Sequence, residues 1–179
     1  MNQKNLIWLD LEMTGLDPNI NKIIEIATVI TDHQLNILDI GPIMAIYQNH
    51  TILNKMDPWN ITTHTQTGLI KKVKNSTINE YQAEKKTIEF LTKWVKPQCS
   101  PLCGNTINQD RNFLKKYMPK LESYFHYRNI DVSTLKELAK RWKLEITHNI
   151  KKKKTHSALS DIYDSIEELL FYKKFFIKN

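Results

Sequence analysis

The sequence predicts an α/β domain in which helices flank a mixed sheet. Three strand-like segments come first, and helical and strand-like segments alternate along the rest of the chain. Strands joined by short turns pair antiparallel and strands joined through a helix pair parallel, so we expect an antiparallel meander followed by parallel strands. The 179 residues, 41% hydrophobic and 25% charged, are typical of one compact domain, here 1–179.

The three initial strands follow from apolar runs bounded by turn signals. Residues 6–11 form a short apolar run that ends at the turn sequence of residues 15–18. Residues 23–31 and 35–47 are rich in β-branched side chains, which favours strands. The pair Gly41-Pro42 predicts a bulge or bend in the third strand.

Helical periodicity begins after residue 52. Pro58, Thr62 and Thr65 are expected to interrupt a run of short helices. The later segments are predicted as a helix over 80–95, a strand over 101–103, a helix over 109–117, an extended segment over 125–132, a helix over 134–142 and a last helix over 159–175. The buried stripe of the last helix is expected to consist of Leu159, Ile162, Ile166, Leu169 and Leu170.

Charge and cysteine content narrow the class of protein. The net charge of +7 favours a polyanionic partner such as nucleic acid, although only three of the 26 basic residues are arginines. Cys99 and Cys103 are not spaced as a metal or redox pair, so we expect free cytosolic thiols. The polar start and the early Asp10 predict no export or membrane segment and a cytoplasmic protein.

Two acidic residues share one face of the first predicted strand. Asp10 and Glu12 are two positions apart, so their side chains project together while Leu9 and Leu11 project to the other face. Buried carboxylates need a partner, so the pair lies either at an exposed strand end or around a cation. Taken alone, the pattern favours the exposed end.

Two further acids begin helices. Asp110 lies near the start of a predicted helix, where an acid also complements the helix dipole. Asp161 lies in the first turns of the last helix, and His156 precedes it by five residues. Five helical steps rotate by about 140°, so His156 is expected in the loop before the helix, where it could lean toward Asp161.

Taken together, these residues resemble a known family. The matching motifs are Asp10-x-Glu12, Thr14-Gly15-Leu16, Cys103-Gly104-Asn105, Gln109-Asp110-Arg111 and His156-x-x-x-x-Asp161, with similar stretches at 6–18, 121–128 and 131–139. The chain resembles the DEDDh family of 3′-to-5′ exonucleases, and among them the oligoribonucleases. The resemblance implies a ribonuclease-H-like fold, two divalent metal ions (Mg²⁺ or Mn²⁺) held by Asp10, Glu12, Asp110 and Asp161, and His156 as general base.

The resemblance also implies substrate-binding residues. Leu16 and Trp59 match positions that pack against terminal bases, with a turn hydrophobe and a core residue as the respective alternatives. Thr106 and Ser133 match phosphate-binding hydroxyls, although either could be a helix N-cap. His64 is a further candidate for the same pocket.

The resemblance further implies a homodimer. Tyr127 and Arg128 of one subunit would complete the partner's pocket, with an ordinary half-buried strand as the alternative reading of their segment. Three residues depart from the family pattern: Thr106 replaces Ser, Asn108 replaces a smaller residue, and Ser160 replaces an acid.

The function that follows is degradation of very short single-stranded RNA, down to dinucleotides, to 5′-mononucleotides. One alternative is a DEDDh exonuclease that acts on longer DNA or structured RNA. A second is a basic RNA-binding module without catalysis, which the four acids disfavour because uncompensated carboxylates repel phosphate.

Overall fold

The computed structural model describes residues 4–147 and 157–177. The strands are β1 (Leu6–Met13), β2 (Ile23–Thr31), β3 (Ile37–Ile40), β4 (Met44–Ala45), β5 (Leu102–Gly104) and β6 (Asn129–Asp131). The helices are α1 (His50–Leu53), α2 (Pro58–Gln66), α3 (Leu69–Asn75), α4 (Glu80–Leu91), α5 (Ile107–Tyr117), α6 (Pro119–Glu122), α7 (Val132–Trp142), α8 (Leu144–Thr147) and α9 (Ala158–Phe175). Within these ranges, no helix is long and apolar enough to cross a membrane.

The sheet is mixed, with β1 at its centre. Its strand order is β3-β2-β1-β5-β6, and β4 also pairs with β2. β1 and β2 are antiparallel, whereas β1, β5 and β6 run parallel. The predicted α/β class and the predicted change from antiparallel to parallel pairing are therefore confirmed.

Both faces of the sheet are covered, and β1 contributes to both layers. Leu9 and Leu11 pack into a core shared with α4 and α5. Trp8, on the opposite face, packs with Ile162 and Ile166 of α9. Because both faces are buried, β2 is buried along its whole length.

The third strand is bent, as Gly41-Pro42 predicted, and divides into β3 and β4. A Cβ atom on Gly41 would lie 2.1 Å from the Thr28 hydroxyl, so only glycine fits where the chain passes β2. The Gly41 N–H donates to the Thr28 carbonyl at 2.9 Å, which holds the bend against the sheet.

Several predicted boundaries are wrong for local reasons. Thr62 and Thr65 lie inside α2, because Asp57 caps its start, Pro58 occupies its first turn, and the Thr62 hydroxyl donates to the Pro58 carbonyl. The helix predicted over 80–95 ends as α4 at Leu91. Leu170 of the expected buried stripe is 40% exposed.

The extended segment predicted over 125–132 shortens to β6. The backbone carbonyls of His126 and Tyr127 accept hydrogen bonds from the guanidinium of Arg111, at 2.9 and 3.1 Å. These carbonyls are engaged by a side chain instead of a neighbouring strand, so regular pairing begins only at Asn129. The half-buried-strand reading of residues 125–128 is therefore wrong.

Candidate active site

The carboxyl half of β1 presents two carboxylates on the face of the sheet that α9 covers. Asp10 and Glu12 are half-buried, whereas Leu9 and Leu11 between and beside them are buried in the core on the other face. This arrangement is the predicted alternation of a strand. In the antiparallel register, Asp10 pairs with Ala27, and Glu12 pairs with Glu25 of β2.

The first turn of α9 brings a third carboxylate to this pair. Carboxylate oxygens of Asp10, Glu12 and Asp161 lie within 4.8 Å of one another. The contact unites residues about 150 positions apart in the chain, because α9 packs against β1 and β2. Three of the four acids implied by the family resemblance therefore lie in one cluster.

The fourth acid reaches the same strand from the other side. Asp110 lies in the first turn of α5 and is 5% exposed. Its Oδ1 accepts a hydrogen bond from the Leu11 N–H at 2.9 Å, between the positions of Asp10 and Glu12. Asp110 is not among the three acids whose oxygens cluster within 4.8 Å.

The clustered acids raise one another's pKa values. Burial, followed by the charges of Asp110, Glu12, Asp161 and Glu25, raises the pKa of Asp10 well above its usual value. Burial and neighbouring acids raise the pKa of Glu12 to about 8. Burial also raises the pKa of Asp110 to about 7, although the hydrogen bond from Leu11 opposes the shift. Without a cation, the site favours protonated carboxyls.

These residues fit a divalent metal. Oε1 of Glu12 is buried and receives no hydrogen bond from the part of the chain that the structure describes. A buried, unsatisfied carboxylate oxygen beside two further acids is a costly arrangement that a bound cation would relieve. Carboxylate oxygens are hard ligands of the kind that Mg²⁺ and Mn²⁺ prefer.

The site contains a fifth acid that the sequence prediction missed. Glu25 of β2 is 4% exposed, and its Oε2 accepts a hydrogen bond from the Ala158 N–H at 3.1 Å. The available signal was an acidic residue inside the largely apolar and otherwise uncharged run of residues 23–30. Charged residues are rarely fully buried unless they are paired.

The two predicted hydroxyl residues lie together. The hydroxyl oxygens of Thr106 and Ser133 are 3.1 Å apart. The Thr106 N–H donates to Asp131 Oδ1 at 2.9 Å and to Ser133 Oγ at 2.8 Å, and the Ser133 N–H also donates to Asp131 Oδ1, at 2.9 Å. Thr106 has φ 53° and ψ 31°, in the left-handed region that a β-branched residue rarely adopts.

Neither hydroxyl caps a helix, which corrects the alternative reading. Asp131, and not Ser133, caps α7. Thr106 precedes α5, but its side chain makes no capping hydrogen bond. The Ser133 hydroxyl donates to Asn105 Oδ1 at 3.2 Å, and Asn105 Nδ2 donates to Ser165 of α9 at 2.8 Å. The pair is thereby linked to the helix that carries Asp161.

The proposed base-packing residues are exposed. Leu16 is 74% exposed in the loop after β1, and its carbonyl accepts a hydrogen bond from Gln109, the neighbour of Asp110. Trp59 is 62% exposed on α2, so the alternative that it is a core residue is wrong. His64, also on α2, is buried, with 2% of its surface exposed.

Tyr127 and Arg128 lie on a segment whose backbone accepts hydrogen bonds from Arg111. Tyr127 is 73% exposed, and the Arg128 guanidinium lies 5.2 Å from the centre of its ring. Arg111, which follows Asp110 directly, holds the backbone of this segment and pairs with Glu122 at 2.8 Å. His156, the expected general base, lies outside the described residues.

Solved structures share the fold. Escherichia coli Exonuclease I in complex with a dT13 oligonucleotide aligns with a TM-score of 0.71 over 96% of this chain, at 16% sequence identity. Exonuclease I from Methylocaldum szegediense aligns with a TM-score of 0.70. This chain spans about 41% of each Exonuclease I chain. The expected ribonuclease-H-like fold is confirmed.

Sequence comparison is more specific. The exonuclease family matches residues 7–169. The chain is 58% identical to an oligoribonuclease from Photorhabdus laumondii over 176 residues, which cover 98% of this chain and 97% of that one. It is 57% identical to an oligoribonuclease from Escherichia coli K12 over 177 residues, which cover 99% and 98% of the two chains. The chain therefore belongs to the oligoribonuclease family of exonucleases.

Proposed function

We propose that the protein removes 5′-mononucleotides from the 3′ ends of very short single-stranded RNAs, down to dinucleotides. The observation that carries this proposal is the cluster of Asp10, Glu12 and Asp161 oxygens within 4.8 Å, in a chain 57% identical to an oligoribonuclease over nearly its full length. One domain, 1–179, carries the activity. The two thiols, Cys99 and Cys103, are unpaired, which supports a cytoplasmic location.

Four acids are the proposed metal ligands. Asp10, Glu12 and Asp161 supply the clustered oxygens. The fourth acid, Asp110, accepts a hydrogen bond from the Leu11 N–H, which lies between Asp10 and Glu12 on β1. Two Mg²⁺ or Mn²⁺ ions held by these acids would polarise the scissile phosphate, lower the pKa of the attacking water and stabilise the leaving 3′ oxygen. His156 takes the proton of that water, because an imidazole titrates near neutral pH.

Substrate selection rests on side chains around the acids. Leu16 and Trp59 pack against the bases, an interaction that tolerates any sequence because every base has a π-face. The hydroxyls of Thr106 and Ser133 donate to a phosphate, and His64 supports the same pocket. In a homodimer, Tyr127 and Arg128 of one subunit extend toward the other subunit's substrate, consistent with their exposure and anchored backbone.

The test is a length series of RNA substrates. We expect 5′-labelled RNAs between two and ten nucleotides to lose 5′-mononucleotides from their 3′ ends when Mg²⁺ or Mn²⁺ is present and to stay intact in EDTA. The shortest RNAs should give the highest kcat/KM. A preference for long DNA or structured RNA would support the alternative exonuclease, and metal-independent binding without cleavage would support a plain RNA-binding protein.

A further inference from the structure

We infer that Glu25 is a positioning residue that fixes the first turn of α9, and with it Asp161, against the metal-binding strand β1. The inference rests on the proposed metal-dependent function. Glu25 lies on β2 directly opposite Glu12 in the register, and its Oε2 accepts the hydrogen bond from the Ala158 N–H at 3.1 Å. The bond therefore joins the start of α9 to the strand beside β1.

The start of α9 needs this acceptor. The first N–H groups of a helix have no partner within the helix, and an N-cap side chain accepts only that of the second or third helical residue. Ser157, the N-cap of α9, makes no such side-chain hydrogen bond. Ala158 is the first helical residue and is buried, so its N–H has little access to water. Glu25 supplies the acceptor from another element.

The position of Asp161 depends on this turn. The Asp161 N–H donates to the Ser157 carbonyl at 3.0 Å, so Asp161 lies one helical turn from the anchored residue. The Glu25 bond sets how far the turn can slide or rotate relative to β1. Without it, the Asp161 carboxylate loses a restraint that holds it near Asp10 and Glu12.

In the metal-free protein, the charge of Glu25 is unfavourable at this position unless the carboxylate has a structural role. Its charge adds to the repulsion that raises the pKa values of Asp10 and Glu12. An apolar residue would avoid that repulsion and would suit the buried strand. The hydrogen bond and the positive end of the helix dipole compensate for a carboxylate at this position.

The chain offers a matched control. Glu84 of α4 is another buried glutamate, 5% exposed, that accepts hydrogen bonds at the start of a helix. Its Oε1 receives the N–H groups of Lys120 and Leu121 of α6, at 2.7 and 3.1 Å. Its charge does not contribute to the raised pKa values of Asp10, Glu12 and Asp110. Glu84→Ala therefore measures the cost of losing such an acceptor away from the metal site.

The experiment measures equilibrium Mn²⁺ binding without RNA, by the electron paramagnetic resonance signal of free Mn²⁺, together with kcat and KM on a dinucleotide. We expect Glu25→Ala to weaken Mn²⁺ binding about 10–100-fold, the usual effect of losing a group that supports metal ligands. Glu25→Gln keeps an acceptor oxygen and should lose no more than about fivefold, the effect of one charge at a helix start. Glu84→Ala should leave Mn²⁺ binding unchanged.

A second variant removes the donor. Ala158→Pro deletes the N–H at the first helical position, where a helix accepts proline, and leaves Glu25 in place. Ser157 already has φ −136° and ψ 139°, a backbone conformation that a following proline permits. We expect this variant also to weaken Mn²⁺ binding, so the inference stays testable if Glu25→Ala does not fold.

The outcomes separate this inference from the proposed function. Absence of Mn²⁺ binding by the wild-type protein would overturn the proposed function. Wild-type binding that is unchanged in folded Glu25→Ala or Ala158→Pro would overturn the positioning role alone. Equal losses in Glu25→Gln and Glu25→Ala would also overturn it, because Glu25 would then act through its charge as a metal ligand.

Discussion

Asp10 and Asp110 are expected to contribute differently to the stability of the metal-free protein. Burial and four neighbouring acids all raise the pKa of Asp10, so its carboxylate is a source of repulsion in the metal-free protein. Asp110 instead accepts the buried Leu11 N–H. We predict that Asp10→Ala abolishes hydrolysis without lowering the free energy of unfolding in EDTA, since it removes one repelling charge.

Asp110→Ala should abolish hydrolysis and also lower the free energy of unfolding by about 1–3 kcal/mol, because the Leu11 N–H loses its acceptor. Asp110→Asn keeps an acceptor oxygen and should restore stability but not activity. Urea unfolding in EDTA and turnover with Mg²⁺ measure the two effects. Equal stabilities of Asp10→Ala and Asp110→Ala would contradict this distinction.

His156 carries a second prediction, which rests on its match to the family's general base. His156→Ala should lower kcat by roughly 10²–10⁴ with a smaller change in KM, and Mn²⁺ affinity should stay near that of the wild type. His33→Ala, an exposed histidine in the turn between β2 and β3, is the control. Loss of Mn²⁺ binding in His156→Ala would identify a metal ligand instead of a base.

Helix α2 presents Trp59 to solvent. Because this side chain is 62% exposed, Trp59→Ala should leave the melting temperature nearly unchanged. It should weaken dinucleotide binding by about 1–3 kcal/mol, the effect of losing one base stacked on an aromatic ring. Trp142→Ala, which removes a 70% exposed tryptophan from α7, is the matched control. Equal dinucleotide affinities of the two variants would exclude a stacking role for Trp59.

Elements with strong local signals were predictable from sequence. The bounds of β2 agree with the predicted 23–31, because an apolar β-branched run specifies a strand buried on both faces. The segment at 125–128 was not predictable, because the guanidinium of Arg111, more than ten residues away, engages its carbonyls. Periodicity records local preference and carries no information about such distant partners.

The same distinction applies to the site. The alternation of β1 was enough to place Asp10 and Glu12 on one face, and family resemblance added Asp110 and Asp161. Glu25 was missed because its partner, the Ala158 N–H, is 133 positions away and belongs to the backbone. A sequence contains no pattern for a backbone donor that only the packing of α9 brings to β2.

The acids couple the stability of the folded protein to pH. The pKa of Glu12 is about 8 in the folded protein, against 4.5 for an unperturbed glutamate. That of Asp110 is about 7, against 3.8 for an unperturbed aspartate. Between these values the folded state binds more protons than the unfolded state. We predict that the metal-free protein loses stability as pH rises from about 4 to about 8.

Mg²⁺ should reverse this loss of stability, because it binds the deprotonated carboxylates. Its stabilising effect should therefore grow as the pH rises from about 4 to about 8. Melting temperatures at pH 5 and pH 8, in EDTA and in Mg²⁺, check both statements. Glu12→Gln is the control and should reduce the pH dependence in EDTA. A metal-free protein that is more stable at pH 8 than at pH 5 would be inconsistent with the raised pKa values.

The proposed dimer yields a test by complementation. Asp10→Ala lacks an intact metal site. The double variant Tyr127→Ala, Arg128→Ala lacks the side chains that each subunit extends into the substrate pocket of the other. Mixing the two inactive proteins should restore about a quarter of the wild-type activity, because random exchange makes half of the dimers hybrids with one intact pocket each. Confirmed subunit exchange without recovered activity, or an active monomer in sedimentation, would contradict the assignment.

The buried thiol of β5 has a practical consequence. Cys103 lies opposite Trp8 of β1 in the parallel register of the sheet. Its thiol is fully buried, and the burial raises its pKa, whereas Cys99 is partly exposed. Alkylating reagents attack thiolates that they can reach, so Cys99 should react in the native state and Cys103 only after the sheet opens. The alkylation rate of Cys103 therefore reports how often β5 separates from β1, the strand that carries Asp10 and Glu12. A slower rate in Mg²⁺ would measure how strongly a bound cation holds the two strands together.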